Sequence, residues 1–201
     1  MTSQNISLRH ARSGAKVDAL LHENIDTTFA KLADDTWETF LSKEKEAAAL
    51  KGMPEPMLEH DHWRWEHKIG LSANLLSMPS FGVECDDQPQ GIMLLFTDGY
   101  LSKSKATLHQ PLVYLPYIST APWNLPGFTS EPKYRGVGTI LLSAAIQTSM
   151  ELGFKGRLGL YSLPGAESFY ECYKFESLGI DTRSSLKYYE LSAESAAEFL
   201  S

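Results

Sequence analysis

The sequence predicts an α/β (α+β) fold, a mixed and mostly antiparallel central sheet flanked by helices. Three observations lead there. The chain has 201 residues, 43% hydrophobic and 21% charged, enough for a single globular domain over residues 1–201 with a sizeable core. Its middle third carries short apolar runs separated by a polar turn, the pattern of paired strands. Its last third alternates helical and extended patterns with clear punctuation.

Taken in order, residues 5–9 alternate like a short strand. Residues 14–50 read as helical and close with Ala47, Ala48, Ala49 and Leu50 before the breaker around Gly52 and Pro54. A further helical stretch over residues 60–76 ends before Pro79, so the N-terminal part as a whole, residues 14–78, is expected to be helical. Residues 80–85, the polar turn 86–90 and residues 91–97 form an antiparallel hairpin. Residues 112–119 are another strand, in which Pro116 lacks an amide donor and predicts an edge, a bulge or a place where the strand parts from its neighbour. Val137, Ile140, Leu141, Ala144, Ala145 and Leu152 fall at helical spacing, and Gly153 with Phe154 reads as a left-handed C-cap. A strand at 157–163, a short helix at 164–173, a last strand at 185–191 and a closing helical turn or two at 193–200 complete the chain.

Charge and punctuation exclude several classes. Lys and Arg total 18 against 25 Asp and Glu, a net charge of −7 that disfavours nucleic acid and anionic membrane surfaces as partners. No apolar run approaches the ~20 residues of a membrane span, and residues 1–5 offer neither a basic start nor an apolar signal core, so a cytoplasmic protein is expected. Cys85 and Cys172 have neither metal-site nor disulfide spacing.

The sharpest feature is Lys133-Tyr134-Arg135-Gly136-Val137-Gly138-Thr139, where a loop feeds the long amphipathic helix. Glycines let a backbone bend around a ligand, and the unpaired amides of a first helical turn, with the helix dipole, bind phosphate oxygens. Residues 132–157 hold four basic side chains, Lys133, Arg135, Lys155 and Arg157, against Glu151 alone. No Walker string occurs, and Leu141 stands where a dinucleotide fingerprint wants a third glycine.

This loop and the later string Ala166-Glu167-Ser168-Phe169-Tyr170-Glu171-Cys172-Tyr173-Lys174-Phe175 resemble the GNAT superfamily of N-acetyltransferases, whose diagnostic loop is Gln/Arg-x-x-Gly-x-Gly/Ala followed by an Ala-x-x-x-Tyr…Gly-Phe pattern. Order and spacing agree over residues 112–191, the expected cofactor-binding core. The resemblance implies helices on both faces of the sheet and acetyl-CoA as donor. It implies that the amides of Arg135, Gly136, Val137, Gly138 and Thr139 hold the pyrophosphate, with Lys133 and Tyr134 at the loop entrance. It also implies that the strand edge from Ile118 to Thr120 pairs with the pantetheine amides, and that Tyr170 donates to the leaving thiolate. Three positions depart from the pattern. Lys133 replaces Gln or Arg, Leu163 stands where relatives carry an Asn, leaving Ser162 or the backbone to compensate, and Lys174 replaces a glycine expected in a left-handed turn.

Acetyl transfer to an amine proceeds by direct attack and requires no Ser or Cys nucleophile; accordingly Ser162 lacks the glycines of a nucleophile elbow. Cys172 reads as core, and Tyr170 reads either as general acid or as one member of an aromatic cluster with Phe169, Tyr173 and Phe175. Glu84, Asp98, His109 and Glu131 are base candidates, and none is assigned. His62 and Glu66 share one face if their segment is helical, a metal reading set against that of an amphipathic helix anchored by Trp63 and Trp65; no metal is expected. Trp123 and Phe128 either line an acceptor site or pin down the loop 121–132. The expected activity is acetyl-CoA-dependent N-acetylation of a primary amine, small molecule or peptide. The rivals are a non-catalytic acyl-CoA-binding module and a toxin-like transferase acting on charged tRNA, the latter opposed by the net charge. Monomer and homodimer stay open.

Overall fold

The computed structural model describes residues 1–125, 128–129 and 131–201. In chain order the elements are β1 (Thr2–His10), β2 (Lys16–Glu23), α1 (Thr27–Leu50), α2 (Trp65–Ser72), β3 (Ser80–Cys85), β4 (Gln88–Phe96), β5 (Val113–Thr120), β6 (Tyr134–Arg135), α3 (Val137–Glu151), β7 (Leu158–Ser162), α4 (Glu167–Cys172), β8 (Glu176–Ile180), β9 (Lys187–Leu191) and α5 (Ala193–Phe199). The strands follow the order β6-β1-β2-β3-β4-β5-β7-β9-β8 in a mixed, mostly antiparallel sheet, with β5 and β7 parallel. Pro89 to Leu95 are all buried. Successive strand residues point to opposite faces, so β4 is covered on both.

Two compact units form from interleaved segments. The first takes Met1–Leu75, Ser80–Met93 and Ile118–Leu141, and its core includes Leu8, Phe29, Ala33, Trp65, Ile69 and Val83. Asp26 caps α1 by accepting from Phe29 N at 2.9 Å. In the second, Leu76–Pro79, Leu94–Tyr117 and Leu142–Ser201, the core includes Leu95, Leu112, Ile146, Leu158, Leu160 and Tyr189.

The N-terminal part is less helical than its composition suggests. Lys16–Glu23 is a strand, because its backbone is claimed by β1 on one side and β3 on the other, a tertiary demand that overrides local propensity. Helix begins only at Thr27. Likewise the stretch 60–76 is helical only over Trp65–Ser72. Arg64 offers no capping acceptor, and the carboxylate of Asp34 on α1 does the capping, taking Trp65 N and Glu66 N at 2.9 Å each. His62 therefore lies outside the helix that carries Glu66, which removes the shared face of the metal reading; no cluster of metal-binding side chains exists among the described residues.

Other expectations meet the structure more closely. The hairpin turn is two residues, Asp86 and Asp87, both at positive φ (53° and 55°), so the second strand starts at Gln88 rather than Gly91. The end of α3 is a Schellman cap: Gly153 at φ 78°, Gly153 N to Met150 O at 2.9 Å and Phe154 N to Ser149 O at 2.8 Å. Lys174 takes the left-handed conformation (φ 60°) that the glycine of the pattern would hold. Strand β8 was not anticipated by the sequence pattern. Cys172, expected in the core, is exposed: α4 turns Tyr170 inward, and a residue two positions on points away. Among the described residues no helix is long and apolar enough to cross a membrane.

Candidate functional site

The parallel ladder between β5 and β7 consists of Val113↔Leu158 and Tyr114↔Gly159 and goes no further. Pro116 sits two residues past its last pair, where the sequence placed a parting of strands. Ile118 and Thr120 lie beyond that point, half-buried and outside the ladder to β7. A strand edge not used by a neighbouring strand keeps amide and carbonyl groups available for an extended ligand.

In the same unit as these residues, the loop into α3 is built by a chain of polar contacts. Tyr134 and Arg135 form the short strand β6 against His10 and Arg9 of β1. Lys133 N donates to Trp123 O at 3.0 Å, and Tyr134 N donates to Asn124 Oδ1 at 2.8 Å. Trp123 Nε1 and Asn124 Nδ2 in turn donate to Oε1 of the fully buried Gln90 at 2.8 and 3.0 Å. Trp123 thus pins down the loop, packed edge-on against Phe40. Phe128 is half-buried in the same loop, of which residues 126, 127 and 130 lie outside the described ones.

A third anchor is Asp86. Its Oδ2 accepts from Tyr134 OH and from Lys133 Nζ, the latter at 3.1 Å. These contacts, the tyrosine first, hold the Asp86 carboxyl below its ordinary range, while burial and the same bond push the Tyr134 hydroxyl up. The cationic stretch therefore shrinks: Lys133 is neutralised by Asp86, and Arg157 is buried and donates to Pro111 O at 3.0 Å. Lys155 and Arg157 follow the far end of α3, so Arg135 and its cross-strand partner Arg9, both exposed and without an ion pair among the described residues, supply the positive charge at this turn.

Gly136 has φ +95°, a conformation side chains avoid, and its carbonyl receives Ile140 N at 2.9 Å as the helix starts. Val137, the first helical residue, is buried on β4. There a Cβ on Gly91 would come within 2.7 Å of Val137 Cγ1 and 3.1 Å of Leu141 Cδ1. Gly91 is the close approach that seats the helix start on the sheet.

No protein-family model matches the chain, and no curated protein matches it. Among solved structures it is similar to a candidate acetyltransferase of the GNAT family from Desulfovibrio desulfuricans, at 10% identity, TM-score 0.56, over 87% of this chain and 99% of that one. The chain has the GNAT fold. An uncharacterized protein from Bacillus halodurans shares it at 7% identity and TM-score 0.59, over 97% and 93% of the two chains. So does a bacterial toxin, at 15% identity and TM-score 0.52, over 70% and 81%.

The GNAT pattern thus meets this chain with its loop residues Lys133, Tyr134, Arg135, Gly136, Val137, Gly138 and Thr139 together with Ile118 and Thr120 in one unit, and with Tyr170 in the other. Tyr170 on α4 is only 4% exposed, its ring against Phe169, Phe175 and Tyr189. Burial pushes its hydroxyl well above the ordinary phenol value. That hydroxyl has no hydrogen bond among the described residues. The ring is structural and the tip is unspent. At the position before Leu163, which replaces the Asn of the pattern, Ser162 Oγ donates to Leu163 O at 2.8 Å and keeps its acceptor lone pairs.

Of the base candidates, Glu84 is bonded to His22 at 3.0 Å, and Asp98, His109 and Glu131 make no ion pair among the described residues. Asp86, Gln90, Asn124 and Gly91 fall within the turn, strand and loop that the sequence marks, but their part in holding the α3 loop has no sequence signal. The readable signal among them was the pair Asp86-Asp87 between apolar runs, a two-residue hairpin turn.

Proposed function

We propose that the protein is an acetyl-CoA-dependent N-acetyltransferase acting on a primary amine by direct attack in a ternary complex. The observation that carries this reading is the turn at Gly136, held at positive φ, anchored by Asp86, Gln90 and Asn124, and opening α3 beside the exposed Arg135. The amides of residues 135–139 and the Arg135 guanidinium suit a pyrophosphate, and the β5 edge at Ile118 and Thr120 suits the two amides of a pantetheine arm. Acetyl-CoA, when bound, supplies an acyl carbon that an uncharged amine can attack. Tyr170, kept protonated by burial, donates a hydrogen bond to the departing sulfur.

Two measurements test it. Acetyl-CoA is expected to raise the melting temperature and to release thiol in the presence of amines; absence of binding at millimolar acetyl-CoA removes the reading. Tyr170→Phe, which keeps the ring packing, is expected to lower kcat by about 10²-fold while acetyl-CoA affinity stays within about twofold. Unchanged turnover assigns Tyr170 to packing alone. Acetyl-CoA binding that is indifferent to Tyr170, with no turnover of any amine, favours an acyl-CoA-sensing module on the same fold.

A further inference from the structure

A cleft of about 150 Å³ opens in the first unit where α1 faces the segment that leads into α2. Trp37, Trp63 and Trp65 wall it, Glu38 stands at its side, and His60 lines it. The volume is about that of a cavity that accepts one benzene ring. His60 is the part of this wall that reaches β5. Its Nε2 lies 2.8 Å from Oγ of the buried Ser119, the residue between Ile118 and Thr120, and its ring packs on Trp63 at 4.9 Å. Ser119 Oγ also has Thr120 O as acceptor at 3.3 Å. The tautomer that satisfies both bonds puts the imidazole proton on Nε2 and leaves the lone pair on Nδ1, which bonds to no described residue.

We propose that this cleft receives the acceptor, a small primary amine on a single ring or short alkyl chain, and that His60 takes the proton its ammonium must lose. The proposal rests on the acetyltransfer reading and deepens it. A primary ammonium resembles the Lys side chain and is almost wholly charged at neutral pH, so a base must free its lone pair before attack. The imidazole accepts that proton at Nδ1; the nitrogen then forms the N–C bond as the C–S bond breaks, the second nitrogen proton is lost to solvent, and a proton returns to the thiolate. Burial lowers the His60 pKa below the ordinary imidazole value, against the opposing pull of Glu59 and Asp61 and with the help of His62, so the base is neutral at pH 7. Of the other charges lining the cleft, Asp34 is committed to capping α2, Lys45 is paired with Asp61 and Glu55, and Arg64 donates to the carbonyls of Asp61 and Trp63. Glu38 is left as the carboxylate without an ion pair among the described residues, the natural attractor for an ammonium.

The test uses the full chain, acetyl-CoA, and phenethylamine, benzylamine and a lysine-containing peptide as probes. Phenethylamine or benzylamine is expected to perturb tryptophan emission on binding and to be acetylated. His60→Gln is expected to lower kcat/KM for the amine by about 10²-fold with acetyl-CoA affinity unchanged, and to abolish the acid-side inflection of the pH profile that lies below the ordinary histidine range. Glu38→Lys, on an exposed helix position, is expected to raise KM for the amine about tenfold at unchanged kcat. Acetyl-CoA binding with full activity in His60→Gln overturns the base; acetylation of the peptide but not of the small amines overturns the substrate class. Absence of acetyl-CoA binding is a failure of the parent reading, and the tryptophan titration, which needs no acetyl-CoA, then still decides whether the cleft takes an amine.

Discussion

Two carboxylates hold two loops in this protein, and they do so in opposite surroundings. Glu190 on β9 is 4% exposed and accepts from Ser102 Oγ and Lys103 N at 2.6 Å each and from Ser104 N at 3.2 Å. Asp86, at the tip of the β3–β4 hairpin, has a side chain 57% exposed and takes Lys133 Nζ and Tyr134 OH. The chemistry is the same, a carboxylate receiving donors distant in sequence. The energetics differ because water competes for one and not for the other. Glu190 makes the fold; Asp86 shapes a loop at almost no cost to the fold.

Removing the buried anchor is the largest expected effect. Glu190→Ala strands the N–H groups of Lys103 and Ser104 and leaves the Ser102 hydroxyl with Thr107 Oγ1, at 2.7 Å, as its partner. Buried unsatisfied donors cost about 1–3 kcal/mol each, with partial relaxation about 3 kcal/mol in total. The melting temperature should fall by roughly 6–12 °C. Glu190→Gln, which keeps one oxygen in place, should lose less than half as much. Equal losses in both variants would mean that charge, and not acceptor geometry, holds the loop.

The same contrast explains what was legible in the sequence. The end of α3 is encoded locally: Gly153 and Phe154 suffice to specify a Schellman cap, and the pattern could be read within a few residues. The start of α3 is encoded at a distance. Its glycines and basic residues were visible, and the β5 irregularity at Pro116 was visible, but the loop's geometry depends on Asp86, Gln90 and Asn124, from 10 to 48 residues away. No periodicity reports such bonds. For the same reason Lys133 read as an unpaired positive charge where the structure pairs it with Asp86, and Lys16–Glu23 looked helical when two neighbouring strands claim it. The roles proposed for Tyr170 and the loop residues come from the resemblance; the one proposed for His60 does not, because a histidine that meets Ser119 across 59 residues leaves no local trace of that contact.

Gly136 tests whether the turn itself, rather than its anchors, makes the binding surface. At φ +95° an alanine is strained by about 1–2 kcal/mol, although open space surrounds its Cβ. Gly136→Ala is therefore expected to weaken acetyl-CoA about tenfold in a binding titration. A loss of melting temperature without loss of affinity would assign the glycine to folding only.

The smallest effect is the most discriminating. Asp86 occupies a left-handed position (φ 53°) that glycine tolerates better, so Asp86→Gly relieves backbone strain while deleting the carboxylate that holds Lys133 and Tyr134. Stability should stay level or rise slightly, while acetyl-CoA affinity falls about three- to fivefold, less than 1 kcal/mol. Asp86→Asn, which keeps an acceptor but no charge, should lie between glycine and wild type in affinity. The pH dependence follows from the direction of the shift. A carboxyl whose folded pKa is depressed contributes fully above its unfolded value, about 3.9, and loses its contribution only as the pH falls through the folded one. The Asp86 contribution to binding should thus be constant between pH 8 and 5, a range in which a histidine-held loop would loosen. Stability and affinity falling together in Asp86→Gly would make this hairpin a structural element like Glu190, and the distinction between the two anchors would collapse.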